Sequence, residues 1–200
     1  MAQITAQAVK ELREVTGLGM MDCKKALQET GGDMEKAVEY LRKKGLSAME
    51  KRAAREASEG VVTAYIHPGS RLGVLLEVNC ETDFVARTED FQSFAKDVAM
   101  HIAASRPLAV SRDGIPPATI ERERRIFLEQ SANEGKPAHI AQRIVDGRLE
   151  KFYQDMCLLE QPFVKDPDRT VQDLLTEITA KIGEKITIRR FACFRLGEKE

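Results

Sequence analysis

Three stretches of this chain are rich in the β-branched and aromatic residues of a strand, and they do not follow one another. Val61 to His67 and Leu72 to Asn79 flank Pro68-Gly69-Ser70, so they read as one β-hairpin. The third, Lys185 to Leu196, lies at the far end of the chain. Between them the apolar spacing is helical: Phe91 to Ala104, then Ala118 to Asn133 opened by Pro116-Pro117, then Ala138 to Leu159 after Lys136-Pro137, then Thr170 to Gly183. Two strands, a block of helices and a returning strand describe an α+β fold with a helix-covered, three-stranded antiparallel sheet.

Ahead of the hairpin, residues 1–45 read as a module of three short helices. Thr5 is placed to cap the first, whose apolar stripe is Ala8, Val9, Leu12 and Val15. Thr16-Gly17-Leu18-Gly19 is a turn, and the second helix ends at Gly31-Gly32. Asp33 caps the third helix, acidic early and basic late in agreement with the helix dipole, and Gly45 is its expected stop. Residues 46–59 read as a helical linker, basic through Lys51, Arg52 and Arg55 and continuous with Arg42-Lys43-Lys44. That run is either a solvated face or a patch for an acidic helix on a partner. Residues 60–200 form the α+β core.

Strand parity sorts the sheet into two faces. Val62, Ala64, Ile66, Leu72, Val74, Leu76 and Val78 join Ile186, Ile188, Ala192, Phe194 and Leu196 as the expected core face. The opposite face carries Val61, Tyr65, Leu75, Phe191 and Cys193, too apolar for water. The expected cover is a second copy of the chain across a two-fold axis, a homodimer. Cys193 on that face is a buried thiol or, alternatively, half of an intersubunit disulfide.

Charge and cysteine usage exclude several classes. With 31 Lys+Arg against 32 Asp+Glu there is no global attraction to nucleic acid or an anionic membrane, and no direct nucleic-acid partner is expected. Cys23, Cys80, Cys157 and Cys193 form no Cys-x-x-Cys pair and do not cluster with His67, His101 or His139. No metal site, cofactor or catalytic residue is expected. Cys80 near His67 is the one nucleophile candidate, and its neighbours Glu81 and Asp83 raise a thiol's pKa rather than lower it. Glycine-rich phosphate loops, His-Glu-x-x-His helices and Gly-x-Ser-x-Gly elbows are missing. Met1-Ala2-Gln3-Ile4-Thr5 offers no basic segment followed by an apolar run, no stretch is apolar enough to span a membrane, and the expected location is the cytoplasm.

The most distinctive segment is Glu77-Val78-Asn79-Cys80-Glu81-Thr82-Asp83-Phe84-Val85-Ala86-Arg87, where the strand period gives way to the helix period. Phe84 at that corner either fills its own core beside Phe91 and Phe94 or is held out to fill a partner's. Thr82 or Thr88 can cap the helix without Asp83, and Phe91, Phe94, Val98 and Ile102 already supply an inward stripe.

This corner, together with Leu12-Arg13-Glu14-Val15-Thr16-Gly17-Leu18-Gly19-Met20-Met21-Asp22-Cys23-Lys24-Lys25-Ala26-Leu27, resembles the bacterial elongation factor Ts family. Gly135-Lys136-Pro137 through Arg148 and Leu158 to Val164 are similar too, and the likeness covers essentially the whole chain. Many family members carry two α/β core subdomains and a protruding helical hairpin. At 200 residues this chain resembles the short form, with one subdomain and dimerisation through the sheet. The resemblance implies a guanine-nucleotide exchange factor, not an enzyme, that acts on GDP-bound and nucleotide-free elongation factor Tu. It implies that the N-terminal helices are a ubiquitin-associated type of module docking through Arg13, Met20, Met21 and Lys24. Of the two methionines one can belong to the core, and Met21 is expected to be the more buried. It implies that Thr82, Asp83, Phe84 and Val85 displace the partner's Mg²⁺, with Phe84 as wedge. A polypeptide- or RNA-binding module on an oligomerisation platform is the alternative from another class.

Overall fold

The computed structural model describes residues 4–52, 54–133 and 137–198. Gly135 and Lys136 of the sequence reading, and the side chain of Lys51, lie outside the described residues. Three helices come first: α1 (Ala6–Thr16), α2 (Met20–Glu29) and α3 (Met34–Arg52). The hairpin β1 (Glu59–Ile66) and β2 (Leu72–Cys80) follows, then the single turn α4 (Asp83–Ala86) and helix α5 (Glu89–Ser105). Helices α6 (Pro117–Asn133) and α7 (Ala138–Met156) are an antiparallel pair. A short hairpin, β3 (Pro162–Phe163) and β4 (Asp166–Thr170), leads into α8 (Val171–Ile182) and β5 (Thr187–Arg195). The sheet order is β1-β2-β5, so the fold is α+β. The chain divides into two compact units: residues 1–61, 78–94 and 173–187, and residues 62–77, 95–172 and 188–200.

In the first unit the three N-terminal helices close on Val9, Leu12, Cys23, Ala26, Leu27, Ala37 and Leu41. Thr5 accepts from the Ala8 amide, and Asp33 from the Lys36 amide, as the caps predict. Three expectations are corrected. Val15 is exposed, because Thr16, four residues after Leu12, takes the inward position and bonds the Leu12 carbonyl at 2.7 Å. Met21 is 76% exposed against 56% for Met20, because Cys23, Ala26 and Leu27 supply the inward face of α2. Gly45 does not stop α3. It is buried inside the helix, and a Cβ there would lie 3.4 Å from Thr176 Cγ2 and 3.7 Å from Ala180 Cβ of α8, ordinary contact distances, so the helix continues through it against α8.

In the second unit strand parity departs from the sequence expectation. Val74 and Leu76 are buried and Leu75 is exposed, as predicted for β2. On β1, however, Val62 is 72% exposed, with Ala64 and Ile66 also outward, while Thr63 and Tyr65 are half-buried. On β5, Arg189 and Arg190 are both exposed, which interrupts the alternation. Beyond that interruption Phe191 and Cys193 turn to the covered side, and Ala192 and Phe194 (64% exposed) turn outward. Leu196, expected in the core, is exposed as well. The outer face therefore exists and is apolar, but its members are Val62, Ala64, Ile66, Leu75, Ala192 and Phe194. Val61, the β1 residue at which the first unit's segment ends, is half-buried too. Of the residues read as the dimer face, only Leu75 is exposed; Val61, Tyr65, Phe191 and Cys193 lie on the covered side.

Among the described residues, no helix is long and apolar enough to cross a membrane.

Candidate functional site

The corner after β2 is built by burial on one side and hydrogen bonds on the other. Val78 and Cys80 are fully buried and fix the end of the strand. Across the strand pair, a Cβ on Gly60 would fall 2.1 Å from the Val78 carbonyl oxygen, and Gly60 sits at φ 145°. Only glycine permits that backbone approach. The chain stays extended at Thr82 (φ −130°, ψ 152°), whose hydroxyl caps α4 by accepting from the Val85 amide. Ala86 is buried, and its carbonyl accepts from Gln92 Nε2 at 2.6 Å. Thr88 then caps α5 through the Phe91 amide. Phe91, Phe94, Val98 and Ile102 are all buried, so the inward stripe of α5 is filled as read from the spacing.

Phe84 is not part of that stripe: its side chain is 79% exposed. The reading in which this ring plugs its own core is excluded for the free chain. Asp83 beside it pairs with Arg87 at 2.8 Å one helical turn away, and Val85 is half-buried. A large aromatic facing water on a one-turn helix is held there by its surroundings, not by its own packing.

Those surroundings contain residues that the sequence reading missed. Glu184, just after α8, accepts three hydrogen bonds from the corner: from the Glu81 amide at 3.2 Å, the Thr82 amide at 3.1 Å and the Thr82 hydroxyl at 2.8 Å. The exchange is reciprocal, since the Glu81 carboxylate accepts from the Lys185 amide at 2.5 Å. That bond, with Arg55 at 3.2 Å, holds the Glu81 carboxyl below its ordinary value. Lys185 Nζ bonds the Arg55 carbonyl at 2.7 Å. On α8, Lys181 pairs with Asp90 in the first turn of α5 at 2.6 Å, and its methylenes would lie 3.7 Å from a Cβ placed on Gly17. Arg42 of α3 pairs with Asp173 of α8. The N-terminal helices, the corner and α8 are thus laced into one unit. A partial signal was present: Gly183-Glu184-Lys185 puts a carboxylate just past a helix stop. Nothing local says what it meets.

Arg13, Met20, Met21 and Lys24 are all exposed, and Met21 and Lys24 line one groove with Lys25, Gln28 and Lys44. Lys44 is pinned to Asp22 at 2.6 Å. Cys80 is no nucleophile: burial and the Glu184 charge push its thiol up to about 11, and it donates to the Thr82 carbonyl at 3.1 Å. His67 bonds Tyr65 instead. Among the described residues, no three His, Cys, Asp or Glu side chains form a metal-holding group.

Fold and corner together define an α+β protein that presents an exposed aromatic ring on a one-turn helix at a strand-to-helix corner. The family model for Elongation factor TS matches residues 2–198. Proteins named Elongation factor Ts from Carboxydothermus hydrogenoformans, Desulforamulus reducens and a Thermoanaerobacter species are similar to this chain. The first is 64% identical over 195 residues, covering 98% of this chain and 90% of that protein. The second is 60% identical over 198 residues (99% and 91%), and the third 60% over 195 residues (98% and 96%). The chain belongs to the elongation factor Ts family. These relatives are of similar length, so the short form is common to them. Membership implies the role of nucleotide exchange factor for elongation factor Tu.

Proposed function

We propose that this protein releases GDP from elongation factor Tu in the cytoplasm by inserting Phe84 into the nucleotide-binding domain while Asp83 disturbs the waters around the bound Mg²⁺. Thr82 and Val85 set the angle of entry. The N-terminal module (1–45) docks through Arg13, Met20, Met21 and Lys24, residues 46–59 link it, and residues 60–200 carry the wedge. One observation supports this above the rest: the Phe84 ring faces water while the backbone beneath it is tied by Glu184 and Gln92.

The energetics suit a contact device. A nucleotide held at nanomolar strength is bound by ~12 kcal/mol, and loosening it a thousandfold takes ~4 kcal/mol of differential binding. Burying one phenylalanine supplies ~2–3 kcal/mol. Mg²⁺ supplies a sensitive target for the remainder, because it holds near-ideal octahedral geometry and small ligand shifts weaken its bridge to the phosphates. Linkage makes the coupling reciprocal: nucleotide weakens the factor's grip by the factor that the protein weakens the nucleotide's. A preorganised corner limits the ordering entropy lost on insertion.

Self-association also belongs to this proposal. The outer sheet face of Val62, Ala64, Ile66, Leu75, Ala192 and Phe194 is apolar and self-complementary in composition, and a two-fold copy covers it. The function is tested by release of labelled GDP from elongation factor Tu. Phe84→Ala is expected to slow stimulated release with an unchanged fold. Undiminished release by Phe84→Ala would overturn the wedge.

A further inference from the structure

In the second unit a cavity of about 630 Å³ opens where the hairpin turn, the end of α5 and the end of β5 converge. Three arginines line it, each from a separate element: Arg71 before β2, Arg106 just past α5, and Arg195 at the end of β5. No carboxylate is in the lining, and none of the three forms an ion pair among the described residues. Glu198, whose charge acts on Cys193 together with those of Arg106 and Arg195, stands outside the lining. Arg106 holds a left-handed backbone (φ 51°), uncommon for a residue with a side chain, fixed by its amide on the Ile102 carbonyl at 2.9 Å. Beside the arginines stands an aromatic wall. The Tyr65 hydroxyl meets His67 Nδ1 at 3.2 Å, their rings are 6.1 Å apart, and Met100 completes an apolar floor.

We propose that this cavity binds a phosphate-bearing small molecule of nucleotide size, with phosphate oxygens among the three guanidiniums and the base against Tyr65. Guanidinium forks match phosphate oxygens two at a time. Three uncompensated like charges around one cavity repel one another, and a dianion removes that repulsion. The volume falls within the range of small-ligand sites, and a flat ring over an apolar floor suits a base. The inference is independent of the exchange function, since Arg71, Arg106 and Arg195 belong to none of the surfaces assigned to it.

The test uses the full chain alone, titrated by calorimetry with AMP and separately with inorganic pyrophosphate. The expected result is saturable binding of both, mutually competitive and weakening steeply with salt. Arg106→Ala and Arg195→Ala each weaken both ligands tenfold or more, whereas Tyr65→Leu weakens AMP and spares pyrophosphate. Because the arginines are exposed, their variants keep the wild-type melting temperature, which separates lost binding from lost fold. No saturation by either ligand, affinities unmoved by the arginine variants, or AMP binding unaffected by Tyr65→Leu would each overturn the proposal.

Discussion

Glu184 shows what a single side chain can do for a corner it does not belong to. Its two oxygens satisfy two backbone amides and one hydroxyl that would otherwise be left partly buried without partners. Glu184→Ala therefore exposes those donors to a penalty of about 1–3 kcal/mol. In a chain of this size that lowers Tm by roughly 2–4 °C per kcal/mol. Hydrogen exchange at the Glu81 and Thr82 amides should rise more than elsewhere in the chain, and exchange activity should fall with it. Uniform protection across the corner in that variant would show that the clamp is idle. The exposure of Phe84 was only half legible in the sequence: Thr82 and Thr88 supply caps on either side and Phe91 and Phe94 fill the stripe, which leaves the ring either in its own core or held out. The clamp was not legible, because Glu184 and Thr82 are joined only by tertiary folding and neither residue is unusual locally.

At the scale of elements, two contacts carry predictions. Gly45 lies mid-helix in α3 with ordinary van der Waals room for a methyl group against Thr176 and Ala180. Gly45→Ala should stabilise the chain by roughly 0.5–1 kcal/mol through reduced chain entropy, read as a rise in denaturant midpoint. A fall in that midpoint would mean that the packing of α3 on α8 is tighter than the geometry indicates. His101 of α5 is fully buried, its Nδ1 accepting from the Val164 amide at 3.3 Å and its Nε2 placed 2.9 Å from the Gln161 side-chain oxygen. That arrangement requires a neutral ring with the proton on Nε2, and burial lowers the pKa below the ordinary value of about 6.5. The unfolded chain then takes up the proton first. Stability is full above about pH 6.5 and declines as pH falls below it toward the folded-state pKa. His101→Gln should flatten that slope in urea melts across pH 5 to 7; an unaltered slope would assign it to other groups. The short hairpin β3–β4, which holds the Val164 side of this contact, escaped the sequence reading because two residues, one of them proline, show no period. The parity of β1 escaped it for another reason: Val61, Val62, Tyr65 and Ile66 are apolar on both faces, so composition cannot say which face is inside.

The molecule as a whole is expected to associate through the outer sheet face. Phe194→Glu or Val62→Glu places a charge on that face and should yield a monomer by sedimentation at micromolar concentration, while Phe191→Glu, on the covered side, should instead destabilise the fold. A wild-type chain that sediments as a monomer would refute the dimer without touching the wedge. Strand parity in the sequence pointed to a sheet with an apolar exposed side, and such a side exists. It could not resolve the interruption at Arg189-Arg190, where two successive outward residues reverse every assignment downstream. Whether Phe84 and Asp83 act on the partner's magnesium pocket is read from the rate of GDP release from elongation factor Tu with wild-type and Phe84→Ala protein, from millimolar Mg²⁺ down to excess chelator. The prediction is a large advantage of wild type at millimolar Mg²⁺, about 30- to 150-fold from ~2–3 kcal/mol of ring burial, that shrinks as the ion is removed. An advantage that stays the same with and without Mg²⁺ would contradict it.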